Sequence, residues 1–300
     1  MSALSDEIEA VFAAAGTQGF LHAREIGVPH GPEVSADADE PVVLASVFKI
    51  PVALAYAREV AAGRLDDTER TRATARYRVG GIGTAGCADD VEMSWRDLAH
   101  LILTMSDNAA TDVLFHRIGQ EAVERVLTDL GLCSTRLIGC CADLFASVAT
   151  ELGGGPDDDL EQLPAAATPE QLWKLSQLDP ERTTSSTARE IATLLEAIRT
   201  DRAGDPAACE RVRTIMAQQI RPRRLSSGFP PGVQIAAKTG TLPAIRNEAG
   251  MVTYVDGHRY AVAVFTRGGS LADRQPAVDS SLGAAARLAV EHLRAQTVNP

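Results

Sequence analysis

Residues 44–50 read Leu-Ala-Ser-Val-Phe-Lys-Ile, and they place Ser46 and Lys49 inside an apolar run. The run predicts the start of a buried helix. Positions i and i+3 share a helix face, so the Lys49 amine would lie beside the Ser46 hydroxyl. Burial would lower the pKa of Lys49 and make a neutral amine available to take the serine proton. Ser46 would also lie at the positive end of the helix dipole. The stretch therefore predicts a serine nucleophile with a lysine base.

A simpler interpretation is that Ser46 only caps a helix and Lys49 lies on the surface, because Ser-x-x-Lys is short and common. Lysine, however, is scarce in this chain. Lys49, Lys174 and Lys238 are the three lysines among 29 lysines and arginines together. Arginine cannot be deprotonated in proteins, so a lysine kept inside an apolar run indicates a role that arginine cannot fill. Lys238 also lies in a predicted buried strand, which strengthens the catalytic interpretation.

Composition limits the possible partners. With 300 residues the chain can form one large domain or two small ones. A net charge of −11 and 4% aromatic residues argue against a nucleic-acid partner. No apolar run is long enough to span a membrane. Residues 1–10 have neither a basic start nor an apolar stretch, so we expect a cytoplasmic protein, although an exported form that has lost its signal segment is the alternative.

Cysteine and histidine spacing predicts neither a metal site nor a disulfide framework. The five cysteines are an odd number without ligand spacing, and neighbouring Cys140 and Cys141 indicate free buried thiols. The six histidines are scattered singly, and no two have the i, i+4 spacing of a helical zinc pair. We therefore expect no metal and no organic cofactor.

Hydrophobic periodicity predicts strands at both ends of the chain and helices between them. The predicted strands are 20–26, 41–44, 233–241, 250–255 and 260–266, with Asp256-Gly257 as a hairpin turn between the last two and a polar connection at 31–40. A first helix is predicted from an N-cap at Ser5 to Gly16, a second from Ser46 to Gly63, and a last helix carries Leu282, Ala286, Ala289 and Leu293 on one face. Residues 65–222 carry almost entirely helical signals. Ser94 and Thr187 are predicted N-caps in this region, and a further helix is predicted from Asp205 to Pro222. Residues 153–159 are predicted to form a polar surface loop.

The order of these elements predicts an α/β fold of the α+β kind. An antiparallel sheet, completed by the two chain ends and flanked by the terminal helices, would be formed by residues 1–44 and 224–300. Residues 45–223 would form an all-α insertion domain. The active site would lie at the interface between the two parts.

Two further short patterns accompany Ser46 and Lys49. Ser106-Asp107-Asn108 follows a predicted helix, and Lys238-Thr239-Gly240 lies on a predicted strand. In order and spacing the three patterns resemble the penicillin-recognising serine hydrolases, and most of all the class A β-lactamases. The resemblance spans most of the chain and includes residues 179–184 and 246–250. It implies the β-lactamase/transpeptidase-like fold.

The resemblance also implies roles for individual residues. Ser46 would be the nucleophile, Lys49 its base, and Ser106 would pass a proton to the leaving group, helped by Lys238. Asn108 would orient Lys49 and the substrate amide, although a plain polar turn is the alternative for residues 106–108. Lys238 and Thr239 would hold a substrate carboxylate, and Gly240 would let ligand and strand approach closely. The backbone N–H groups of Ser46 and Thr241 would form the oxyanion hole. Arg246 or Asn247 would contact the substrate, and pairing of Arg246 with a core acid is the alternative.

One departure from the family pattern affects deacylation. Class A β-lactamases hold the hydrolytic water with a Glu-x-x-Leu-Asn segment. With Leu144 in register, the glutamate position falls on Cys141 and the asparagine position on Phe145. The usual general base is therefore missing. Asp143, Glu151, Glu161 and Glu170 are the nearest carboxylates, and each is expected to be a solvated surface charge rather than a base.

We therefore expect a serine hydrolase that forms an acyl-enzyme on Ser46. Its substrates would be small molecules, either β-lactams or small esters and amides that carry a carboxylate, with no nucleic-acid or membrane partner. One alternative is a β-lactam-binding sensor that is acylated and does not hydrolyse the adduct. Another is a D,D-peptidase, which the absence of an export segment disfavours.

Overall fold

A computed structural model describes residues 3–154, 163–220 and 222–298. Within these ranges the strands are β1 Thr17–Glu25, β2 Glu33–Ala36, β3 Val42–Val43, β4 Arg70–Ala73, β5 Val91–Ser94, β6 Ser185–Ser186, β7 Gln234–Leu242, β8 Ile245–Thr253 and β9 Arg259–Gly268. The α-helices are α1 Ala3–Ala14, α2 Lys49–Ala61, α3 Trp95–Thr104, α4 Asn108–Ile118, α5 Gln120–Asp129, α6 Cys141–Glu151, α7 Leu163–Ala166, α8 Pro169–Trp173, α9 Ala188–Arg199, α10 Pro206–Met216, α11 Leu225–Gly228 and α12 Pro276–Val298. Short 3₁₀ turns cover Ala45–Phe48, Ala75–Tyr77, Gly83–Gly86 and Ser176–Leu178.

The core of the fold is a five-stranded antiparallel sheet in the order β2-β1-β9-β8-β7. Successive side chains of a strand point to opposite faces, and in β9 both faces are apolar. Ala261, Ala263 and Phe265 pack with the central helices, whereas Val262 and Val264 pack against α1 and α12. The predicted sheet, flanked by the terminal helices and joined to a helical part, is therefore confirmed. The division at residues 45 and 224 into two domains stays a prediction.

Several predicted helix and turn signals are confirmed in detail. The Ser94 hydroxyl caps α3 by accepting from the backbone N–H of Asp97. Thr187 caps α9 in the same way through the N–H of Glu190. The Asp256-Gly257 turn joins β8 to β9, and Gly257 has φ 92°, a left-handed conformation that favours glycine. The apolar faces predicted for the first and last helices are buried in one cluster.

The sequence analysis missed β2, the β4–β5 pair and β6, all of which are short strands. Residues 31–40, predicted as a connection, contain β2, which pairs with β1 at the sheet edge. Within the region predicted as helical, β4 pairs with β5, and Arg70 and Arg72 on β4 lie beside Glu92 on β5. Strand β2 has four residues, most residues of the β4–β5 pair are exposed or half-buried, and β6 is two serines that pair with β3, so these strands are too short or too polar for hydrophobic alternation to mark them.

Some element bounds also differ from prediction. Helix α1 begins at Ala3, so Ser5 lies inside it and its hydroxyl bonds Glu9 instead of capping the helix. Helix α10 ends at Met216, well before Pro222. Strand β8 begins at Ile245 rather than 250, which brings Arg246 and Asn247 into the sheet. Most of the predicted loop at 153–159 lies outside the described residues. No helix in the described ranges is both long and apolar enough to cross a membrane.

Candidate active site

Ser46 lies in the 3₁₀ turn Ala45–Phe48, directly before α2. The preceding Ala45 has φ 45°, an uncommon left-handed conformation for a residue with a side chain. The sheet holds this turn in place through Asn247, whose Nδ2 donates to the carbonyls of Val43 at 2.8 Å and Leu44 at 3.3 Å. A Cβ on Gly240 would lie 2.6 Å from the Leu44 carbonyl oxygen, so glycine lets β7 approach the nucleophile turn.

Lys49 begins α2 and is fully buried. Its Nζ donates to the carbonyl of Ser106 at 2.7 Å, to the Ser106 hydroxyl at 3.2 Å, and to Asn108 Oδ1 at 2.6 Å. Burial lowers the pKa of Lys49, and the nearby carboxylates of Asp112 and Asp107 oppose that shift only in part. The sequence pattern alone suggested contact with Ser46, but the hydrogen bonds described for this amine go to residues 106 and 108.

The three residues 106–108 divide their work between catalysis and structure. Ser106 has φ 66°, which turns both its carbonyl and its hydroxyl toward Lys49. Asp107 is fully buried, caps α4 through the N–H of Ala110, and accepts from the backbone and hydroxyl of Thr84. The segment is therefore not a plain polar turn, because the Asp107 cap fixes the residues on either side of it against Lys49.

Lys238 on β7 is the second buried cation of the site. It is 1% exposed, and its Nζ donates to the Thr239 carbonyl at 2.8 Å. Burial, together with the charge of Lys49, lowers its pKa well below the usual value. The buried carboxyl of Glu248 acts in the opposite direction on Lys238 and accepts from Gln219 Nε2 at 3.0 Å. Burial raises the pKa of Glu248 to about 7.

Arg224 is a site residue that the sequence analysis missed. It lies in the connection before β7, where no periodicity or spacing marks it. Its Nε donates to Asp279 at 2.6 Å, its Nη1 to the carbonyls of Gly240 and Asn247, and its Nη2 to Thr241 Oγ1 at 2.8 Å. The guanidinium therefore connects α12 to the β7–β8 pair and fixes the end of β7 beside Ser46.

Arg246 and Asn247, both suggested as substrate contacts, make extensive bonds within the protein. Arg246 is 3% exposed, and its guanidinium donates to four backbone carbonyls, those of Leu242, Ile245, Ala272 and Asp273. These partners are carbonyls and include no core acid, and the residue borders the cleft, where a substrate contact stays a prediction. Asn247 is fully buried between β8, β9 and the nucleophile turn, so it is structural.

Two cavities meet at Ser46, which lines both of them. We call the first, of about 330 Å³, the apolar lobe; its characteristic lining residues are Phe48, Ile138, Leu144, Phe145, Val148 and Leu242. We call the second, of about 440 Å³, the polar lobe; its characteristic lining residues are Ser106, Arg223, Arg224, Lys238, Thr239 and Asp279. Asn108, Thr241 and Arg246 border both lobes. The structure thus brings the predicted residues to one cleft, with Gly240 beneath it.

Comparison with known proteins agrees with this geometry. A model of the β-lactamase enzyme family matches residues 3–293. The chain belongs to that family. The β-lactamase regulatory protein BlaB of Streptomyces cacaoi is 29% identical over 280 residues, which cover 88% of this chain and 89% of that protein.

Solved structures of the family share the fold. The β-lactamase of Sphaerobacter thermophilus is 24% identical, with a TM-score of 0.75 and 97% of each chain covered. A point variant of PBP-A, solved as an acyl-enzyme complex with penicillin G, is 21% identical, with a TM-score of 0.73 and 96% of each chain covered. The resemblance to class A β-lactamases suggested by the sequence is confirmed.

Cys141 begins α6 and lies beside the catalytic groups. Its Sγ is 3.5 Å from Asn108 Oδ1, and burial raises the pKa of its thiol to about 12. The backbone N–H groups of Cys141 and Ala142 each donate to the carboxylate of Asp112 at 2.8 Å. Cys141 therefore carries a neutral thiol at the edge of the cleft, and its correspondence to the glutamate of class A β-lactamases stays a prediction from the sequence.

The nearby carboxylates are occupied elsewhere. Asp143 accepts from the N–H of Cys140 at the start of α6. Glu151 accepts from the N–H of Ser176 and pairs with Arg182. Glu170 is exposed in α8, and Glu161 lies outside the described residues. The described carboxylates that line the cleft are Asp273, which is exposed, and Asp279, which is paired with Arg224. In the described part of the chain, no cluster of three His, Cys, Asp or Glu side chains is arranged to hold a metal ion.

Proposed function

We propose that this protein is a serine hydrolase that forms an acyl-enzyme on Ser46 with β-lactams or small esters and amides that carry a carboxylate. The observation that carries the proposal is the buried Lys49, with a lowered pKa, hydrogen-bonded to Ser106 and Asn108 at the junction of the two lobes. A lysine whose pKa is lowered by burial loses its proton more readily than an exposed one, which suits it to act as a general base.

The proposed acylation follows from these contacts. Lys49 takes the proton from the Ser46 hydroxyl as Oγ attacks the carbonyl carbon of the substrate. Backbone N–H groups of Ser46 and Thr241 stabilise the oxyanion, and each such donor contributes about 2.7 to 4 kcal/mol in comparable enzymes. The Lys49–Ser106 hydrogen bond gives the proton a path to the leaving group. Lys238 and Thr239 hold the substrate carboxylate in the polar lobe.

Deacylation is proposed to be slow. A hydrolytic water needs a base, and the thiol of Cys141 stays protonated at neutral pH because its pKa is raised to about 12. The acyl-enzyme would then accumulate rather than turn over. Simple esters leave less bulk on Ser46, and we expect their adducts to be released faster than those of penicillins.

A second candidate, a β-lactam-responsive protein that retains its adduct, rests on the same neutral thiol. A relative covering most of the chain bears the name of a β-lactamase regulatory protein. The two functions differ in the lifetime of the adduct. A D,D-peptidase activity is a third possibility, for which no described contact gives particular support.

Intact-mass spectrometry tests the proposal. After brief exposure to a penicillin or an activated ester, the protein should gain the mass of the opened penicillin or of the acyl group. Ser46→Ala should gain neither and should stay folded, because the change removes one hydroxyl group from a short turn before α2. Ser134→Ala, at an exposed serine, is the matched control and should be labelled normally. Full labelling of folded Ser46→Ala would refute the nucleophile.

A further inference from the structure

The two lobes that meet at Ser46 differ in chemistry. The polar lobe carries Lys238, Arg223 and Arg224, which suit an anionic group. The apolar lobe is lined on one side by Leu144, Phe145 and Val148 of α6. A substrate bound for attack by Ser46 extends in two directions from its carbonyl carbon. Once the carboxylate-bearing leaving portion lies in the polar lobe, the acyl portion is directed toward the apolar lobe.

The surface of the apolar lobe is mostly apolar, although the polar residues Asn108, Gln177, Thr183, Thr184, Arg246 and Asp273 also line it. Phe48 and Leu242 face the α6 residues across the lobe, and Ile138 forms its rim with 41% of its surface exposed. The volume of about 330 Å³ lies at the lower end of the range of about 300 to 1,000 Å³ found for small-molecule sites. The lobe is therefore large enough for a substituent of several carbon atoms.

Several polar groups at or behind this wall are already bonded within the protein. Asn108 Oδ1 accepts from Lys49, and Thr184 Oγ1 accepts from the N–H of Ile138. The thiol of Cys141 is neutral and bonded to Asn108. Asp112, beneath the wall, has both carboxylate oxygens bonded to the backbone at the start of α6. A polar acyl group placed in the apolar lobe would lose water without gaining equivalent hydrogen bonds.

We propose that the protein selects substrates with a bulky apolar acyl group, of medium-chain alkyl or arylalkyl type, which binds in the apolar lobe while the carboxylate of the leaving portion binds in the polar lobe. This inference rests on the proposed function and names the substrate class of the same site. The reaction is an acyl transfer. The bond from Ser46 Oγ to the carbonyl carbon forms, the bond from that carbon to the leaving oxygen breaks, and the proton of Ser46 passes through Lys49 and Ser106 to the leaving oxygen.

Chain length should therefore control the acylation rate. Burial of each methylene group corresponds to a factor of about four in binding, and ordering of the chain reduces that factor. We expect the second-order acylation rate to rise about threefold per methylene from acetyl to hexanoyl and then to level off when the lobe is full.

A series of 3-carboxyphenyl esters tests the inference. Acetyl, butanoyl, hexanoyl, octanoyl and phenylacetyl esters share one anionic leaving group, 3-hydroxybenzoate, whose release reports acylation. Leu144→Trp fills the apolar lobe and should shift the optimum to shorter chains. Phe145→Asn replaces an aromatic ring in the wall of the apolar lobe by an amide, so the acylation rate should depend less on chain length. Val255→Trp, at a residue with 90% of its surface exposed, is the control and should keep the wild-type profile.

The outcomes separate this inference from the proposed function. Acylation of Ser46 with equal rates for all chain lengths would overturn the inference alone. A profile that Leu144→Trp leaves unchanged would also overturn it, because the acyl group would then lie outside the apolar lobe. Absence of acylation by every ester and by penicillin would overturn the proposed function itself.

Discussion

Replacing Cys141 by glutamate should convert a protein that accumulates its acyl-enzyme into one that turns over. The thiol lies 3.5 Å from Asn108 Oδ1, beside the cleft. A carboxylate there would be held near Ser46 and could activate a water. General-base assistance contributes about 10² to 10⁴ in rate, so deacylation should accelerate by a factor in that range.

The structure also predicts what the substitution should leave intact. Asp112 accepts from the backbone N–H groups of residues 141 and 142, and these two bonds at the start of α6 remain when the Cys141 thiol, which also bonds Asp112, is replaced. The larger side chain has room toward the apolar lobe, and we expect a loss of stability of about 1 to 3 kcal/mol from overpacking. A carboxylate near Lys49 should raise the pKa of that amine and slow acylation to a smaller extent.

Burst kinetics with a chromogenic cephalosporin measure both steps, and intact mass measures the adduct. The wild type should show a burst, a slow phase and a long-lived adduct, whereas Cys141→Glu should show a faster steady state and a short-lived adduct. Cys141→Gln, of matched size and without a base, should behave as the wild type. Fast linear turnover by the wild type without an adduct would refute the reasoning, because another base would then act. Single amide replacements of Asp143, Glu151, Glu161, Glu170 and Asp273 would identify it.

Three further predictions concern buried titratable groups. Lys49→Arg should be as slow in ester acylation as Lys49→Ala, because a guanidinium cannot accept the serine proton; near-normal rates would show that only charge matters. His22 is fully buried, and burial, aided by Arg189, lowers its pKa from 6.5 to about 4, so the unfolded chain binds more protons between these values. The free energy of unfolding should therefore rise by about 3 kcal/mol from pH 4 to 6.5 on account of His22, and urea titrations of His22→Gln should lack this rise. Glu248, with a pKa raised from 4.5 to about 7, acts in the opposite direction and should reduce stability by about 3 kcal/mol from pH 4.5 to 7. Glu248→Gln should remove that fall and expose the rise due to His22, and an unchanged pH profile would contradict the assignment.

The parts of the fold that could be predicted from sequence are those in which one local signal dominates. Ser94 and Thr187 cap helices because a hydroxyl before an apolar periodic run satisfies free N–H groups. Strand β9 was found because its residues are apolar over most of their length. The β4–β5 pair was not predicted, because its arginines and Glu92 face solvent. Their contacts form only when the two strands, which are distant in sequence, pair in register. Register between distant strands is not encoded in a local pattern.

The same distinction, between residues marked by a local pattern and residues positioned by distant contacts, applies to the site. Ser46, Lys49, Ser106, Asn108 and Lys238 could be named because three short patterns mark them, and the structure brings them to one cleft. Arg224 could not be named. Its position is defined by Asp279 on a distant helix and by carbonyls of two strands, all of them contacts formed only on folding.

The lifetime of the proposed acyl-enzyme is separable from the fold, and Asp112 gives the physical reason. Its carboxylate accepts from the first two backbone N–H groups of α6 at 2.8 Å, and these two bonds do not require a thiol at position 141, although the Cys141 side chain also bonds Asp112. Lys49, Ser106 and Asn108 are fixed independently, by α2 and by the buried Asp107 cap. A family member can therefore change the residue at position 141, and with it the lifetime of the adduct, while the machinery of acylation stays in place. Retention of the adduct is then a matter of one side chain rather than of a rebuilt site.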